Sequence, residues 1–270
     1  MLQRSTYGEV VLFRLARGFL GRGVYFTASY LVDGLVVDTG CRHTLAEFAA
    51  ATEGVGIHTV INTHSHEDHI AGNALLQRRD GARILAHELA LPVLADPRGT
   101  LRMALYEHLA WGMPEPSIGQ PIPEEVCTSR HRFRVLRTPG HSVDHLCLYE
   151  PEEGWLFTGD LFIGGRDRAL REDGEVWRII ASLEMVAGLE VRRLFPGSGS
   201  VRENPLPELR AKIVYLRELG ERVLTLSRAG QPPQVIRKTI FGREHPLAFF
   251  SGGSFSGLHL VRSFLNGEEH

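Results

Sequence analysis

The chain has 270 residues, 43% hydrophobic and 23% charged. That composition fits a packed globular protein and excludes a disordered tail, a collagen-like chain and a disulfide miniprotein. Thirty Lys+Arg against 32 Asp+Glu leave a formal net charge of -2, which is not the balance of a general polyanion binder, so nucleic acid is not an expected partner.

Cys41, Cys127 and Cys147 are widely spaced and form no CxxC pair, so they read as reduced thiols. Arg14 and Arg17 interrupt residues 10–20, the one stretch resembling a signal-peptide core. No run approaches the ~18 apolar residues of a membrane helix. The expectation is a cytoplasmic protein with no membrane partner.

Taken in order, residues 25–32 and 35–37 are β-rich runs around Asp33-Gly34, a hairpin signal. Asp38-Thr39-Gly40 breaks the strand, and residues 44–52 read as a helix. Short strands are expected at 59–62 and 84–86, and residues 91–126 read as a long irregular stretch rich in Pro. Strands follow at 133–136, 146–149, 155–158 and 193–195, with a helix at 176–187 between the last two. The clearest helix is 207–227, where Leu209, Ile213, Leu216 and Val223 recur at helical steps. Residues 234–241 and 256–265 are shorter helical candidates, the latter with Ser256 as N-cap. No linker interrupts the chain. It reads as a single layered α/β domain over 1–270, with 203–270 its C-terminal helical part.

Thr63-His64-Ser65-His66-Glu67-Asp68-His69 follows a strand directly. On extended or turning backbone, residues i and i+2 point the same way, so His64 and His66 can grip one cation. Asp68 and His69 come where the chain turns toward a helix, and they can face a second. Imidazole with carboxylate suits zinc, iron or manganese. Two later strands end in ligand-type residues, His141 in Thr138-Pro139-Gly140-His141-Ser142 and Asp160 in Gly159-Asp160.

In this order the motifs resemble the metallo-β-lactamase superfamily, over roughly residues 25–200 and including Asp38-Thr39-Gly40. The resemblance implies a four-layer αββα sandwich with a binuclear metal site at one edge of its two sheets. It implies His64, His66 and His141 as ligands of the first metal, Asp68 and His69 as ligands of the second, and Asp160 as the bridging carboxylate. Zinc is the expected ion, two per chain, with iron or manganese also compatible.

One position departs from the family pattern. Ser198, in Phe195-Pro196-Gly197-Ser198-Gly199, stands where the family places a last histidine. Three arrangements answer this: a second metal held weakly by Asp68, His69, Asp160 and water; replacement by His245 or His259; or a single-metal enzyme.

The implied chemistry is metal-assisted hydrolysis. A divalent ion lowers the pKa of bound water toward about 7, so a metal-bound hydroxide serves as nucleophile, and Asp68 orients it. No G-x-S-x-G serine elbow is present.

The apolar set Met103, Leu105, Tyr106, Leu109, Trp111 and Met113 reads either as a roof over a small-molecule substrate or as a packing or homodimer surface. Phe249-Phe250 is a second candidate homodimer surface. Arg166 and Arg168, shortly after Asp160, are candidates for holding an acidic group of the substrate. The leading function is hydrolysis of a small ester, thioester or lactone. The alternatives within the superfamily are a phosphodiesterase or endoribonuclease and an iron-dependent persulfide dioxygenase.

Overall fold

A computed structural model describes residues 1–19, 22–244 and 246–267. The elements in chain order begin with β1 (Leu2–Tyr7), β2 (Val10–Phe19), β3 (Arg22–Val32), β4 (Leu35–Val37), α1 (Leu45–Ala51) and β5 (Thr59–Ile61). Next come α2 (Glu67–Ile70), α3 (Asn73–Asp80), β6 (Arg83–Ala86), α4 (Leu91–Ala95), α5 (Pro97–Thr100) and α6 (Leu105–Ala110). They are followed by β7 (Gly119–Pro121), β8 (Glu125–Cys127), β9 (Arg132–Arg137), β10 (Leu146–Glu150), β11 (Trp155–Gly159) and β12 (Leu170–Arg171). The chain continues through α7 (Val176–Ala187), β13 (Arg193–Pro196), β14 (Arg202–Glu203) and α8 (Leu206–Arg228). It ends with α9 (Pro233–Phe241), α10 (Pro246–Phe250), β15 (Phe255–Ser256) and α11 (Gly257–Asn266). Two compact units are formed: Met1–Arg137 with Asp144–Ile163 and Val191–Asn204, and Thr138–Val143 with Gly164–Glu190 and Pro205–His270.

The first unit contains two sheets. One has seven strands in sequential order β1 to β7, and the other runs β14-β13-β11-β10-β9-β8. The β3–β4 hairpin turns at Asp33 and Gly34, both at positive φ (47° and 76°), as a tight primed turn requires. β4, β5 and β6 then pair in parallel, so the loops after β4 and β5 leave the sheet at the same edge.

The sheets face each other through a shared core, which joins Leu12, Tyr30 and Ile61 from one sheet to Phe133, Phe157 and Phe195 from the other. Phe157 stacks on Phe195 at 4.7 Å, and Tyr30 meets both edge-on at 5.5 and 5.3 Å. Such pairs add about 0.5–1.5 kcal/mol each beyond simple burial. On the outer face of the seven-stranded sheet, Phe13, Val36 and Val60 pack against Phe48 of α1, Leu76 of α3 and Leu94 of α4.

The second unit holds α7 to α11 and the antiparallel pair β12–β15. α7 buries Val176, Ile179, Ile180, Leu183 and Val186 on one face, the i, i+3, i+4, i+7 stripe of a packed helix. Ser256 caps α11, its hydroxyl accepting from the His259 amide, as its sequence position predicts.

One expectation needs correction. Residues 91–126 are not irregular: they carry α4, α5, α6, β7 and β8, short elements with Pro92 and Pro97 in the first turns of α4 and α5. Residues 10–20 contain a strand, β2, paired with β1 on one side and β3 on the other. Among the described residues no helix is long and apolar enough to cross a membrane, and the three cysteines form no disulfide.

Candidate metal centre

The loop after β5 delivers His64 and His66 on non-helical backbone, His66 in an extended conformation (φ -66°, ψ 149°) just before α2. Asp68 and His69 sit in the first turn of α2, and His64, His66, Asp68 and His69 are all buried. His64 Nε2 and His66 Nδ1 approach to 2.9 Å. His69 Nε2 lies 3.7 Å from Asp68 Oδ2 and 3.6 Å from Asp160 Oδ1. His64, His69 and Asp160 each offer a ligand atom within 4.8 Å of the others.

Asp38, placed after β4 at φ 57°, fixes the tautomers of this group. Its Oδ2 accepts from His69 Nδ1 at 2.8 Å and from the Thr63 hydroxyl at 2.7 Å, and its Oδ1 accepts from the Thr63 amide at 2.8 Å. The Thr63 hydroxyl has only one proton and spends it on Asp38. Its oxygen, 3.0 Å from His64 Nδ1, therefore accepts from that nitrogen. In the neutral rings, both His64 and His69 then carry their lone pair on Nε2, facing the cluster. Outer partners of this kind set the orientation and basicity of metal-ligating histidines.

Carboxylates crowd this cluster and shift its titrating groups. Burial, and then the Asp160 carboxylate, hold the Asp68 carboxyl above its usual range, up to about 6, against the opposing pull of His69. For His69 burial acts downward, but the carboxylates of Asp68, Asp38 and Asp160 outweigh it and raise its pKa well above the ordinary value. With both rings neutral, two inward lone pairs, the buried Asp68 carboxylate and the partly buried Asp160 carboxylate fit a divalent ion of the zinc, iron or manganese type.

Asp160 is seated by the turn after β11. Its amide donates to His145 Nε2 at 3.2 Å, so His145 supports this turn with the nitrogen it would otherwise offer a metal. The Gly197 amide donates to the Gly159 carbonyl at 2.7 Å. A Cβ at Gly197 would lie 2.1 Å from Asp160 Oδ1, and one at Gly159 would lie 2.6 Å from the Thr63 hydroxyl. Both positions have room only for glycine. Nearby, the Tyr30 hydroxyl donates to the Pro196 carbonyl at 2.5 Å, fixing the strand that leads into Ser198. The Ser198 hydroxyl oxygen accepts a long bond, 3.4 Å, from the Ser200 amide. Asp144 Oδ2 accepts from the Ser65 amide at 3.0 Å, so it braces the backbone between His64 and His66.

His141 belongs to the second unit, in the segment Thr138–Val143. Its turn is pinned to α7: the Glu175 amide donates to the Gly140 carbonyl at 2.8 Å and Ser182 Oγ to the Pro139 carbonyl at 2.8 Å. Arg166 and Arg168 lie in the same unit, where Arg166 stacks 5.5 Å from the Tyr215 ring and Arg168 donates to the Phe241 carbonyl at 2.8 Å. His259 Nε2 lies 3.0 Å from the Gly253 carbonyl and donates to it, so that nitrogen is not a ligand. His245 lies outside the described residues. Phe249 and Phe250 are 86% and 69% exposed.

Trp111 meets Tyr25 edge-on at 5.5 Å and Tyr106 at 5.9 Å. Cys41 is buried 3.5 Å from the Thr44 hydroxyl, and burial pushes its thiol up, which suits an inert packing role. The bracing roles of Asp38 and Thr63 and the placement of Tyr25 are functional features that sequence reasoning missed. The signal for Asp38 was present in Asp38-Thr39-Gly40, but its target lies 31 residues away.

The model of the metallo-beta-lactamase superfamily matches residues 22–198. Thioesterase pkgB of Emericella nidulans is 32% identical over 173 residues, covering 62% of this chain and 42% of that protein. The atrochrysone carboxyl ACP thioesterase of Aspergillus fumigatus is 32% identical over 201 residues, covering 71% of this chain and 55% of that protein. Such matches thus span only about half the length of these curated relatives. The crystal structure of the metallo-beta-lactamase family protein TTHA1429 from Thermus thermophilus aligns with a TM-score of 0.71 at 19% identity, covering 97% of this chain and 94% of that one. At that identity the likeness speaks to the fold, and the mixed α/β architecture is the class expected from the sequence.

Proposed function

The chain belongs to the metallo-β-lactamase superfamily, and from that premise we propose that it is a metal-dependent hydrolase of a small thioester, with esters and lactones as the neighbouring substrate classes. The observation that carries this reading is the Asp38 network, which turns the His64 and His69 lone pairs toward the same cluster as the buried Asp68 carboxylate and the partly buried Asp160 carboxylate. The thioesterase relatives support the choice of acyl substrate over a phosphodiester.

In this reading His64, His66 and His141 hold one ion, and Asp68, His69 and Asp160 hold a second. Zinc is the proposed metal. Bound divalent ions supply Lewis acidity and bring the pKa of water down to about 7. The chain's own residues do the rest. Asp68 orients the attacking water through a carboxylate oxygen. Asp38 keeps His69 and, through Thr63, His64 in their binding tautomers. His145 and Gly197 hold Asp160 in place. A thiolate leaves readily, so no dedicated acid at the leaving group is required.

The test uses the full chain, loaded with zinc and dialysed, with S-hexanoyl-N-acetylcysteamine and a thiol-detecting reagent. Turnover that is lost in both His66→Ala and Asp68→Asn supports the proposal. Hydrolysis of bis(p-nitrophenyl) phosphate with no thioester or ester turnover would replace it with the phosphodiesterase reading.

A further inference from the structure

The β2–β3 pairing slips beside the hairpin tip. Leu15 pairs with Thr27 and Arg17 with Val24, so Tyr25 and Phe26 stand opposite Ala16 alone. This is a β-bulge, the device that turns a side chain out of its regular direction. Tyr25 sits in it at φ 52°, in the left-handed region. A bulky residue there is an outlier, and glycine would occupy the position without steric cost. Backbone strain of this kind persists where the surroundings demand it, and it gathers at functional sites.

The surroundings here are those of the metal centre. β3 packs against α2, the helix that carries Asp68 and His69. The Asp160 and Asp68 carboxylates act on the Tyr25 hydroxyl, which places it toward the centre, and an ordinary phenol, with a pKa of about 10, has a proton to donate at neutral pH. The residue as a whole is still 47% exposed, which leaves ring surface open to a ligand. Its ring meets Trp111, and Trp111 meets Tyr106 of α6. On the same helix Leu105 and Leu109 are 75% and 56% exposed, so apolar surface continues away from the rings.

We propose that Tyr25 touches the substrate: its hydroxyl donates a hydrogen bond to the acyl oxygen, and its ring, with Trp111 and α6, forms the wall for an apolar acyl group. This rests on the acyl-hydrolase reading above. The bond strengthens as the acyl oxygen gains charge.

Two variants of the metal-loaded full chain test it. Tyr25→Phe keeps the ring and removes the donor. Its kcat on S-hexanoyl-N-acetylcysteamine should fall about 10- to 100-fold, with KM within about twofold and metal content unchanged. Tyr25→Gly removes the strain, and its Tm should be no lower than that of the wild type while the preference for hexanoyl over acetyl thioester is lost. Unchanged kcat in Tyr25→Phe, or a Tm lowered by more than about 4 °C in Tyr25→Gly, would overturn the proposal. If the wild type turns over no acyl substrate, the hydrolase reading fails, and calorimetric binding of hexanoate decides about Tyr25. Binding weakened at least fivefold in Tyr25→Phe sustains it; equal binding, or none to either protein, overturns it.

Discussion

Asp38 and His69 are joined by a 2.8 Å hydrogen bond between Oδ2 and Nδ1, and the same carboxylate oxygen takes the Thr63 proton. One buried residue thus controls two ligand-type histidines from different positions in the chain. Asp38→Asn replaces an acceptor-only group with one that must donate through half of its head. The apparent zinc affinity should fall about 10- to 100-fold with the fold intact. Competition against a chromophoric chelator, with circular dichroism as control, measures this. Equal affinity in the variant would remove Asp38 from the site's working parts.

In the proposed reading Asp68, His69 and Asp160 hold the second ion, and Ser198 stands where the family pattern expects a last histidine. Ser198→His should raise the metal retained after exhaustive dialysis toward two ions per chain, with wild type retaining fewer. Elemental analysis of both proteins decides it. Two tightly held ions in the wild type would mean that the existing donors suffice.

Gly197 has no room for a methyl group, since its Cβ would fall 2.1 Å from Asp160 Oδ1 and 3.0 Å from the Gly159 carbonyl. Gly197→Ala should displace Asp160, reduce bound metal and lower stability by about 1–3 kcal/mol. Thermal melting and metal content should move together. A variant that melts normally and keeps its metal would show that the turn yields easily.

Asp33 gives a prediction in pH. Hydrogen bonding from Thr128, with further contributions from Ser129 and from the Arg130 amide and side chain, outweighs the opposing desolvation and lowers its pKa to about 2. A lowered folded-state pKa stabilises the protein above the unfolded value near 4, and that stabilisation is lost as pH falls through about 2. Asp33→Asn should therefore cost about 1 kcal/mol at pH 7 after allowance for solvent screening, and the gap should close as pH falls from about 4 to about 2. Denaturant melts across that range check it. A gap that persists at the acid end would point to the turn's backbone instead of its charge.

The sequence made some features readable because they are local. Asp33-Gly34 announced a hairpin, the helical steps of Leu209, Ile213, Leu216 and Val223 announced α8, and the spacing of His64, His66, Asp68 and His69 announced a candidate metal site before any contact was known. The rest depended on partners distant in the chain. β2 carries Arg14 and Arg17, and its strand character rests on pairing with both neighbours. Residues 91–126 hold elements of three to six residues, too short for periodicity to show. The bulge at Tyr25 comes from a register slip between strands, and no single strand's sequence encodes a slip.

The seating of Asp160 also bears on the order in which the protein matures during synthesis. The motif 63–69 and Asp160 itself leave the ribosome first, but the Gly197 amide that holds the Asp160 turn follows only after α7. β13, which carries the chain to that point, pairs in parallel with β11, and such crossovers close late. A nascent chain that has emerged only through α7 would therefore present ligands without the clamp that sets their spacing. Metal captured at that stage would meet an unfinished site, so in the proposed reading correct loading waits for β13 and the Gly197 turn to dock on β11.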